Sequence, residues 1–419
     1  MSGLVGRILS RFCESHLKKL PPRAKVVGLS STANTKHSNL EDRSETGIPA
    51  SEACKISAAV LKEFTNPLII ETVEPPKISR EDEVLIDVEY CAFNASDALL
   101  AKNLYTFKPC LPMVLGYELT GKLLQVGGKA EEEGFHVGDK VVALNKERYG
   151  GLADQCVADV SDIWRIPSGM RSKDAIGVLD NYMTALMALE RKVSITENDM
   201  IFINVGISDI GLAAVDLATN VFRAQVICVC GTEDAAALAR DKGVLASFKY
   251  QDRKLMKELE NLAANKNIKA IFEQNDGECF KKVVNCFTKV YADGATLKDL
   301  LRDDSFAVVV QHLSREVRAI IAGTAAMVVD CDANVEKDDF SVTGFNLREY
   351  RKTNPEAYRQ AGDDVIEFFL EGLIKPTYGL TVGLSRVNDA LDFILSSKLA
   401  GKVIVDIKNK DAEPVKKQK

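Results

Sequence analysis

The distribution of apolar residues changes once along the chain, near Lys173. Before that point, short β-branched runs such as EVLIDVEYCAFN and GYELTGKLLQVGG are separated by glycine and aspartate. Runs of this kind, bounded by turn-forming residues, are typical of β-strands. Residues 55–173 are therefore predicted to form a mostly antiparallel β region.

After Lys173 the apolar residues recur with the period of a helix. The segment DAIGVLDNYMTALMALERKVSI is followed by the apolar run MIFINVG, the helical IGLAAVDLATNVF and the strand-like AQVICVC. This strand-helix-strand order repeats loosely as far as VRAIIAG, which predicts an α/β fold with a doubly wound parallel sheet of the Rossmann type. From about Tyr350 the chain closes with two helices, a strand-like segment between them and a last strand, GKVIVDI.

The stretch NVGISDIGLAAVDLA, from Asn204 to Ala218, resembles the phosphate-binding turn of a dinucleotide-binding fold. Gly206 would make the first tight turn and Gly211 the close contact between helix and strand. Ser208 replaces the middle glycine, whose absence of a side chain normally lets backbone N–H groups approach the pyrophosphate. Together with Ile210, these residues form the predicted phosphate-binding part of a cofactor site.

Asp209 places a carboxylate near the same anion. Two unit charges about 4 Å apart repel by roughly 1 kcal/mol in water and about 4 kcal/mol at an effective dielectric of 20. The turn therefore predicts weakened cofactor binding. The alternative is that Ser208 and Asp209 cap the helix, which both residue types do well.

The end of the second strand of this unit indicates which dinucleotide binds. A cofactor without a 2′-phosphate usually meets an acidic residue there, whereas this chain has Cys230, Gly231 and Thr232. With Arg240 and Lys242 on the following helix, these small residues favour NADPH over NADH. The alternative is that the two bases are solvated helix residues.

Composition excludes several classes of function. With 419 residues, 46% hydrophobic content and a net charge of −6, the chain fits a folded protein of two domains and argues against a nucleic-acid partner. No apolar run reaches the roughly 18–20 residues that span a bilayer. Ten scattered cysteines favour buried, reduced thiols, and the four histidines show no metal-ligand spacing.

Taken in order, the motifs resemble the medium-chain dehydrogenase/reductase superfamily, and within it the zinc-independent quinone oxidoreductase-like branch. The matching segments extend over nearly all of residues 55–407 and are CAFNASDALLAKNLY, LPMVLGYELTGKLLQVGG, FHVGDKVVAL, GGLADQCV, DNYMTALMAL, the nucleotide turn and SKLAGKVIV.

The resemblance implies a domain organisation with the active site between two domains. A β-rich, GroES-like catalytic domain begins with residues 54–180 and is completed by residues 347–408, and residues 181–346 form the dinucleotide-binding domain. Residues 409–419 are expected to form a disordered tail. The resemblance also implies a homodimer built by edge pairing of the nucleotide-domain sheets. The sequence contains an insertion around residues 291–316 whose role it does not assign. A surface helix, a dimer element and a lid are the three alternatives.

The resemblance also implies that no metal is bound. Zinc-dependent relatives need a cysteine where Asn94 stands, and a His-Glu pair where this chain has Tyr117 and Glu118. Thiolate and imidazole are both missing, and so are the closely spaced cysteines of a structural zinc lobe.

For the nicotinamide end of the cofactor, the family pattern implies four residues. Asn94 and Thr184 would bind the carboxamide or ribose. Tyr182, or else Tyr105, would donate a hydrogen bond to a substrate carbonyl and stabilise the anion that hydride addition creates. The alternative for each tyrosine is a packed ring with a satisfied hydroxyl.

The predicted function is therefore a zinc-independent, NADPH-dependent oxidoreductase that reduces a quinone or an α,β-unsaturated carbonyl. The alternative is a degenerate, non-catalytic relative that acts as a binding or scaffold module, because Ser208, Asp209 and the insertion depart from the family pattern.

The first residues predict a location. Before residue 40, Glu14 is accompanied by seven Arg and Lys residues, and Leu4, Ile8 and Phe12 recur at helical spacing. An amphipathic, basic, acid-poor start is typical of a mitochondrial transit peptide, so residues 1–53 are assigned to a transit peptide or disordered segment. The alternative is a basic tail on a cytoplasmic protein.

We expect residues 1 to about 40 to direct mitochondrial import and to be removed, since import machinery reads a basic amphipathic helix. A tagged protein that lacks these residues should become cytosolic when its location is followed by microscopy and fractionation. Unchanged mitochondrial location of the truncated protein would contradict the prediction.

Overall fold

Apolar runs form strands at most of the places where the sequence predicts them. The computed structural model describes residues 55–103, 109–206, 209–249, 268–273, 313–322, 335–337, 340–395 and 401–416. The predicted transit segment, the helices expected at 253–265 and 278–290, Tyr105, Ser208 and residues 291–312 of the insertion lie outside these residues. Residues 313–316 of the insertion belong to a strand.

The β-rich part of the described chain begins at Ile56. Its elements are β1 (Ile56–Leu61), β2 (Ile69–Val73), β3 (Glu83–Phe93), α1 (Ala95–Ala101), β4 (Met113–Val114), β5 (Glu118–Val126), α2 (Gly128–Glu132), β6 (Lys140–Leu144), β7 (Gln155–Asp159), a 3-10 turn (Val160–Asp162) and β8 (Ile163–Arg165).

The alternating part follows. Its elements are α3 (Ser172–Met187), β9 (Met200–Gly206), α4 (Asp209–Asp216), β10 (Gln225–Cys230), α5 (Glu233–Asp241), β11 (Ala246–Lys249), β12 (Ile268–Glu273), β13 (Leu313–Ala322), β14 (Val335–Lys337) and β15 (Phe340–Phe345). π-helical turns at Ala188–Val193 and Leu217–Val221 extend α3 and α4.

The closing part contains α6 (Leu347–Thr353), α7 (Pro355–Leu370), β16 (Tyr378–Gly383), a 3-10 turn (Leu384–Arg386), α8 (Val387–Leu395), β17 (Lys402–Asp406) and β18 (Val415–Lys416). No helix in the described ranges is both long enough and apolar enough to span a membrane.

The alternating part forms a seven-stranded sheet in the order β11-β10-β9-β12-β13-β15-β14. The described neighbours pair in parallel, except that β14 is antiparallel to β15. The chain leaves β9 first toward β10 and later returns to β12, so the switch point of the sheet lies between β9 and β12. The predicted doubly wound parallel sheet is confirmed. The predicted homodimer concerns an outer edge of this sheet and stays a prediction.

The β-rich part forms an eight-stranded sheet in the order β18-β16-β17-β3-β5-β6-β8, with β7 paired to β3. The last long strand of the chain enters this sheet, since Val403 of β17 lies opposite Phe93 of β3 in an antiparallel pair. A separate three-stranded sheet has the order β2-β1-β4. The predicted β-rich domain is confirmed, and its described pairs are antiparallel except for β16 with β17.

Helix α3 lies between the two large sheets. It contacts β3, β5 and β6 on one side and α4 and α7 on the other, and it is buried along nearly its whole length. Helix α7 also packs closely on Trp164, whose indole N–H donates to the carbonyl of Arg359 at 3.2 Å. A Cβ at Gly362 would overlap this indole, so the close approach depends on glycine.

Asp216, the last residue of α4, joins four parts of the chain. Its Oδ2 accepts hydrogen bonds from the hydroxyl of Tyr182 at 2.7 Å, the ammonium of Lys242 at 2.7 Å and the backbone N–H of Lys375 at 2.8 Å. Its Oδ1 accepts from Asn220 at 2.9 Å. Asp216 is 2% exposed. Water therefore cannot easily replace its carboxylate as the hydrogen-bond partner of these groups.

We expect Asp216→Ala to lower the free energy of unfolding by about 3–5 kcal/mol, because it leaves the Lys242 ammonium buried without its counter-ion. Asp87→Ala is the matched control, since its ion pair with Lys408 is partly exposed to solvent and its loss should cost under about 1 kcal/mol. Urea denaturation of both variants measures the difference, and equal losses would contradict the assignment.

Candidate functional site

The candidate site lies at the carboxyl end of β9, beside the switch point of the parallel sheet. Ligands of doubly wound folds bind at such a point. Gly206 ends β9, Gly211 is buried in the first turn of α4, and Ile210 lies half-buried beside it. The start of α4 directs its positive dipole end toward this edge.

Asp209, the first residue of α4, contacts the closing part of the chain. Its Oδ1 accepts a hydrogen bond of 2.8 Å from the backbone N–H of Gly401, the residue before β17. Burial raises the pKa of Asp209 to about 6, and the nearby Lys402 ammonium limits the rise. The carboxylate therefore bridges α4 and the start of the last long strand.

A small cavity lies beneath this bridge. Residues of α3, α4 and the closing part line it: Gly177, Asn181, Tyr182, Asp209, Leu212, Ala213, Thr377 and Lys402. It has room for about one water molecule. A nicotinamide ring is too large for this cavity as it stands.

Lys402, which lines the cavity, belongs to a buried ion pair. The Nζ of Lys402 lies 2.6 Å from Oε2 of Glu118 and donates to Oδ1 of Asn94 at 2.9 Å. The amide of Asn94 donates in turn to Oε2 of Glu118 at 3.1 Å. Lys402 is 2% exposed and Glu118 is fully buried. These three side chains, from β17, β5 and the residue before α1, hold one another in fixed orientations.

Charge keeps Lys402 protonated. Burial alone would lower the pKa of Lys402, but the carboxylates of Glu118, Asp180 and Asp209 raise it above its ordinary value. Burial also raises the pKa of Glu118, and the attraction of Lys402 opposes that rise. The wall of the cavity therefore carries a permanent ammonium at neutral pH.

A second buried network lies next to the first. The hydroxyl of Tyr117 donates to Oδ2 of Asp180 at 2.6 Å and accepts from Ser96 at 3.0 Å. Lys146 lies 2.5 Å from Oδ1 of Asp180 and 4.4 Å from the ring centroid of Tyr117. Burial opposes ionisation of Asp180, yet Lys146 and Lys402 together lower the pKa of Asp180 below its usual range.

The two networks are joined, because Oε1 of Glu118 accepts the backbone N–H of Asp180 at 3.1 Å. The structure thus brings together Asn94, Tyr117 and Glu118, the positions that the sequence comparison associates with zinc ligands. Asn94 and Glu118 bind each other and Lys402, and the hydroxyl of Tyr117 donates to Asp180. Within the described ranges, no group of three or more His, Cys, Asp or Glu side chains is arranged to hold a metal ion.

The remaining predicted residues lie in different surroundings. The ring of Tyr182 lines the cavity, but its hydroxyl is bound to Asp216, so donation to a substrate would require that bond to break. Thr184 is 2% exposed within α3. The ammonium of Lys242 is likewise bound to Asp216 and to the carbonyl of Lys375. Tyr105 and Ser208 lie outside the described residues.

At the end of β10, Gly231 is exposed and the hydroxyl of Thr232 accepts from the N–H of Ala235 at 3.2 Å, which caps α5. Beside them, Glu233 forms ion pairs with Arg240 at 2.6 Å and with Lys249 at 3.2 Å. Two cations therefore meet at the carboxyl ends of β10 and β11.

Sequence reasoning missed three of these lysines and one acid: Lys146, Lys249, Lys402 and Asp180. A signal was present for two of them. Lys402 and Asp180 are charged residues inside the apolar segments GKVIVDI and IGVLDNYM, and a charge inside an apolar run is costly unless it is paired.

Comparison with known proteins agrees with this architecture. The family model described as the alcohol dehydrogenase GroES-like domain matches residues 80–188. The quinone oxidoreductase-like protein 2 of Rattus norvegicus is 27% identical over 353 residues, which are 84% of this chain and 92% of that protein. The predicted GroES-like character of the β-rich part is confirmed.

Solved structures share the fold. The quinone oxidoreductase from Thermus thermophilus, whose structure includes a complex with NADPH, is 18% identical with a TM-score of 0.61, over 84% of this chain and all of that chain. The CurK enoyl reductase is 18% identical with a TM-score of 0.66, over 84% of this chain and 99% of that one. At these identities the likeness concerns the fold alone.

We expect Asp209→Gly to tighten NADPH binding by about 1–3 kcal/mol, or about five- to a hundredfold, because it removes a carboxylate from the predicted pyrophosphate position. The gain should be larger at low salt, since added salt screens the repulsion. Fluorescence titration at two salt concentrations measures it.

Two variants serve as controls for this titration. Asp209→Glu keeps the charge and should show no comparable gain. Gly211→Leu should abolish binding, because a bulky side chain separates the helix from the sheet. If neither the wild type nor a well-folded Asp209→Gly variant binds NADPH, the cofactor site is absent.

Proposed function

Because the chain belongs to the medium-chain dehydrogenase/reductase superfamily, we propose that it is an oxidoreductase that uses NADPH, and no metal ion, to reduce a quinone or an α,β-unsaturated carbonyl compound. The cleft between the two large sheets is the proposed site of reaction. The reduced nicotinamide supplies the hydride when the cofactor is bound.

The observation that carries the choice of NADPH is the cation pair at the ends of β10 and β11. Arg240 and Lys249 both contact the exposed carboxylate of Glu233, so their charged groups converge on one point at the edge where a dinucleotide ribose lies in this fold. A phosphate in place of that carboxylate would be bound by the same two cations. Cys230, Gly231 and Thr232 carry no carboxylate, but Glu233 follows them directly. NADPH binding in this proposal therefore requires the 2′-phosphate to displace the Glu233 carboxylate from the two cations.

The start of α4 both suits and obstructs a dinucleotide. Its positive dipole end, with Gly206 and Gly211 beside it, suits the pyrophosphate. Asp209, at the same end of the helix, accepts from the N–H of Gly401 and lines the small cavity there. Cofactor binding in this proposal therefore requires the Asp209–Gly401 hydrogen bond to break.

The substrate class is supported by the relatives. One relative is named a quinone oxidoreductase-like protein, and one structural neighbour is an enoyl reductase. Quinones and enoyl groups both contain a carbon–carbon double bond conjugated with a carbonyl group. The proposal includes no metal because the side chains at the zinc-ligand positions bind other residues. Asn94 donates to Glu118, and Tyr117 donates to Asp180. Because the hydroxyl of Tyr182 is bound to Asp216, its catalytic role stays a sequence-based prediction.

A non-catalytic binding module is the second candidate. The observation that favours it is the closed cavity, in which the chain's own carboxylate occupies the start of α4. The two candidates differ in whether a nucleotide can displace that carboxylate. Mitochondrial location and a homodimer accompany the first candidate as proposals.

The test uses the full chain, titrated with NADPH and NADH by fluorescence and then assayed for NADPH oxidation with a series of quinones and enones. We expect binding of NADPH, turnover with conjugated acceptors and none with saturated ketones. Arg240→Glu and Lys249→Glu should each weaken NADPH about tenfold and leave NADH unchanged, because only NADPH carries the 2′-phosphate.

Lys62→Glu is the control for these charge reversals, since Lys62 pairs with Glu71 on the separate three-stranded sheet. Its affinity for NADPH should match that of the wild type. Failure of the wild type to bind either nucleotide would favour the non-catalytic candidate. Equal losses for NADPH and NADH in the two variants would overturn the assignment of the phosphate site.

A further inference from the structure

Asp209 is the residue of the nucleotide turn that the proposed function does not explain. It is the first residue of α4, where a dinucleotide-binding fold presents a positive helix end to a pyrophosphate. A carboxylate at that place repels the anion that the site would bind. Its contacts in the structure indicate what the carboxylate does instead.

The carboxylate of Asp209 joins α4 to the closing part of the chain. Its Oδ1 accepts from the backbone N–H of Gly401 at 2.8 Å. Gly401 has a φ of +117°, and a Cβ there would lie 2.7 Å from the backbone nitrogen of Gly379 in β16. The start of β17 therefore packs closely on β16, and this packing fixes the N–H that Asp209 accepts.

Three titratable groups from the described elements around Asp209 act on its charge. Lys402 of β17 attracts the carboxylate, and Glu118 of β5 repels it. Tyr182 of α3 stays protonated, because burial and neighbouring carboxylates raise the pKa of its hydroxyl well above the usual range. The Lys402 ammonium also lies 2.6 Å from Glu118 and donates to Asn94. It therefore compensates the charge of Asp209 only in part.

Asp209 can take up a proton not far below neutral pH. Burial raises the pKa of Asp209 to about 6, and the half-buried side chain is within reach of solvent protons. A pyrophosphate at the start of α4 would bring a second negative charge next to this carboxylate. A like charge favours the protonated form of a carboxyl group, so the pKa of Asp209 would rise further in the complex.

On the basis of the proposed function, we infer that Asp209 is a pH-sensitive latch on the nucleotide site. Its carboxylate holds the closing segment against α4 and opposes the pyrophosphate, and its protonation accompanies binding of the dinucleotide. The ligand class is a dinucleotide with a charged pyrophosphate. Affinity for this ligand is then coupled to the proton concentration.

The direction of the pH dependence follows from the two pKa values of Asp209. Well below about pH 6, Asp209 is protonated in the free protein and in the complex, so its charge does not oppose binding. Above the pKa of the complex it is charged in both states, and the repulsion acts in full. Between these limits the complex takes up part of a proton, and affinity falls as the pH rises.

Calorimetric titration of the full chain with NADP⁺ tests the latch, since this nucleotide has the pyrophosphate of NADPH and is stable in acid. Asp209→Asn is the informative variant, because its amide oxygen can still accept from Gly401 but carries no charge. The two proteins should bind with similar affinity at about pH 5.5. At about pH 8.5 the wild type should bind about five- to a hundredfold more weakly than Asp209→Asn.

Proton uptake is measured by repeating the titration in two buffers with different ionisation enthalpies. The 2′-phosphate of NADP⁺, whose pKa is also about 6, contributes in the same way in both proteins. The difference in proton uptake therefore belongs to Asp209. Near pH 7 the wild type should take up about 0.2 to 0.8 of a proton more than Asp209→Asn.

Asp364→Asn is the matched control for the loss of a titrating carboxylate. Burial also raises the pKa of Asp364 to about 6, but this residue belongs to α7 and does not line the cavity. The pH profile and the proton uptake of Asp364→Asn should equal those of the wild type.

The outcomes separate the latch from the proposed function. Binding by the wild type with the pH profile and proton uptake of Asp209→Asn would overturn the latch and leave the proposed function intact. Weaker binding by a well-folded Asp209→Asn than by the wild type would do the same. Proton uptake that depends on Asp209, without oxidation of NADPH by any quinone or enone, would support the latch and overturn the proposed reaction. Absence of binding by both proteins at every pH would overturn both.

Discussion

The ion pair between Lys402 and Glu118 is the interaction on which the cleft depends. It joins β17, which the chain forms near its end, to β5 in the same sheet, and through Asn94 to the start of α1. Asn94 also precedes α1 and donates its backbone N–H to Asp97 at 2.9 Å. Because the pair is shielded from water, neither charge tolerates the loss of the other. The last long strand is therefore tied to the eight-stranded sheet by this charged contact as well as by its backbone pairing with β3.

Helix α4 depends on the same closing segment at both of its ends. Asp209, its first residue, accepts the N–H of Gly401, and Asp216, its last residue, accepts the N–H of Lys375. The two bonds differ in what surrounds them. Asp216 has four partners and little exposure, whereas Asp209 is half-buried with a raised pKa and a single hydrogen bond to Gly401. Opening of the cleft at Asp209 therefore breaks fewer interactions than opening at Asp216. The Asp209 contact is therefore the weaker of the two that join α4 to the closing segment.

Most strands of the fold were predictable because their residues carry the pattern locally. MIFINVG and AQVICVC form β9 and β10, and the Gly206-to-Gly211 spacing indicated the turn between β9 and α4. Parts of the site were predictable for the same reason, since Asp209 interrupts a recognisable motif. The side-chain partners of Lys242 and Tyr182 could not be predicted from the local sequence. Each is compatible with a cofactor or substrate role by its position in sequence, yet both side chains are bound to Asp216, which is distant from Tyr182 and Lys242 in sequence.

The sequence by itself determined the α/β class, the alternation of strands and helices and the place of the nucleotide turn, because side-chain periodicity and glycine positions act over a few residues. Only the tertiary structure decided the partners of the buried charges. Lys402 lies 284 positions from Glu118 in the chain (402 − 118), and Gly401 lies 192 positions from Asp209. Hydrogen bonds and ion pairs act over a few ångströms, so which charges meet depends on how the two large sheets and the helices between them pack. The sequence showed that these charges were present, and folding decided that they meet at one cleft.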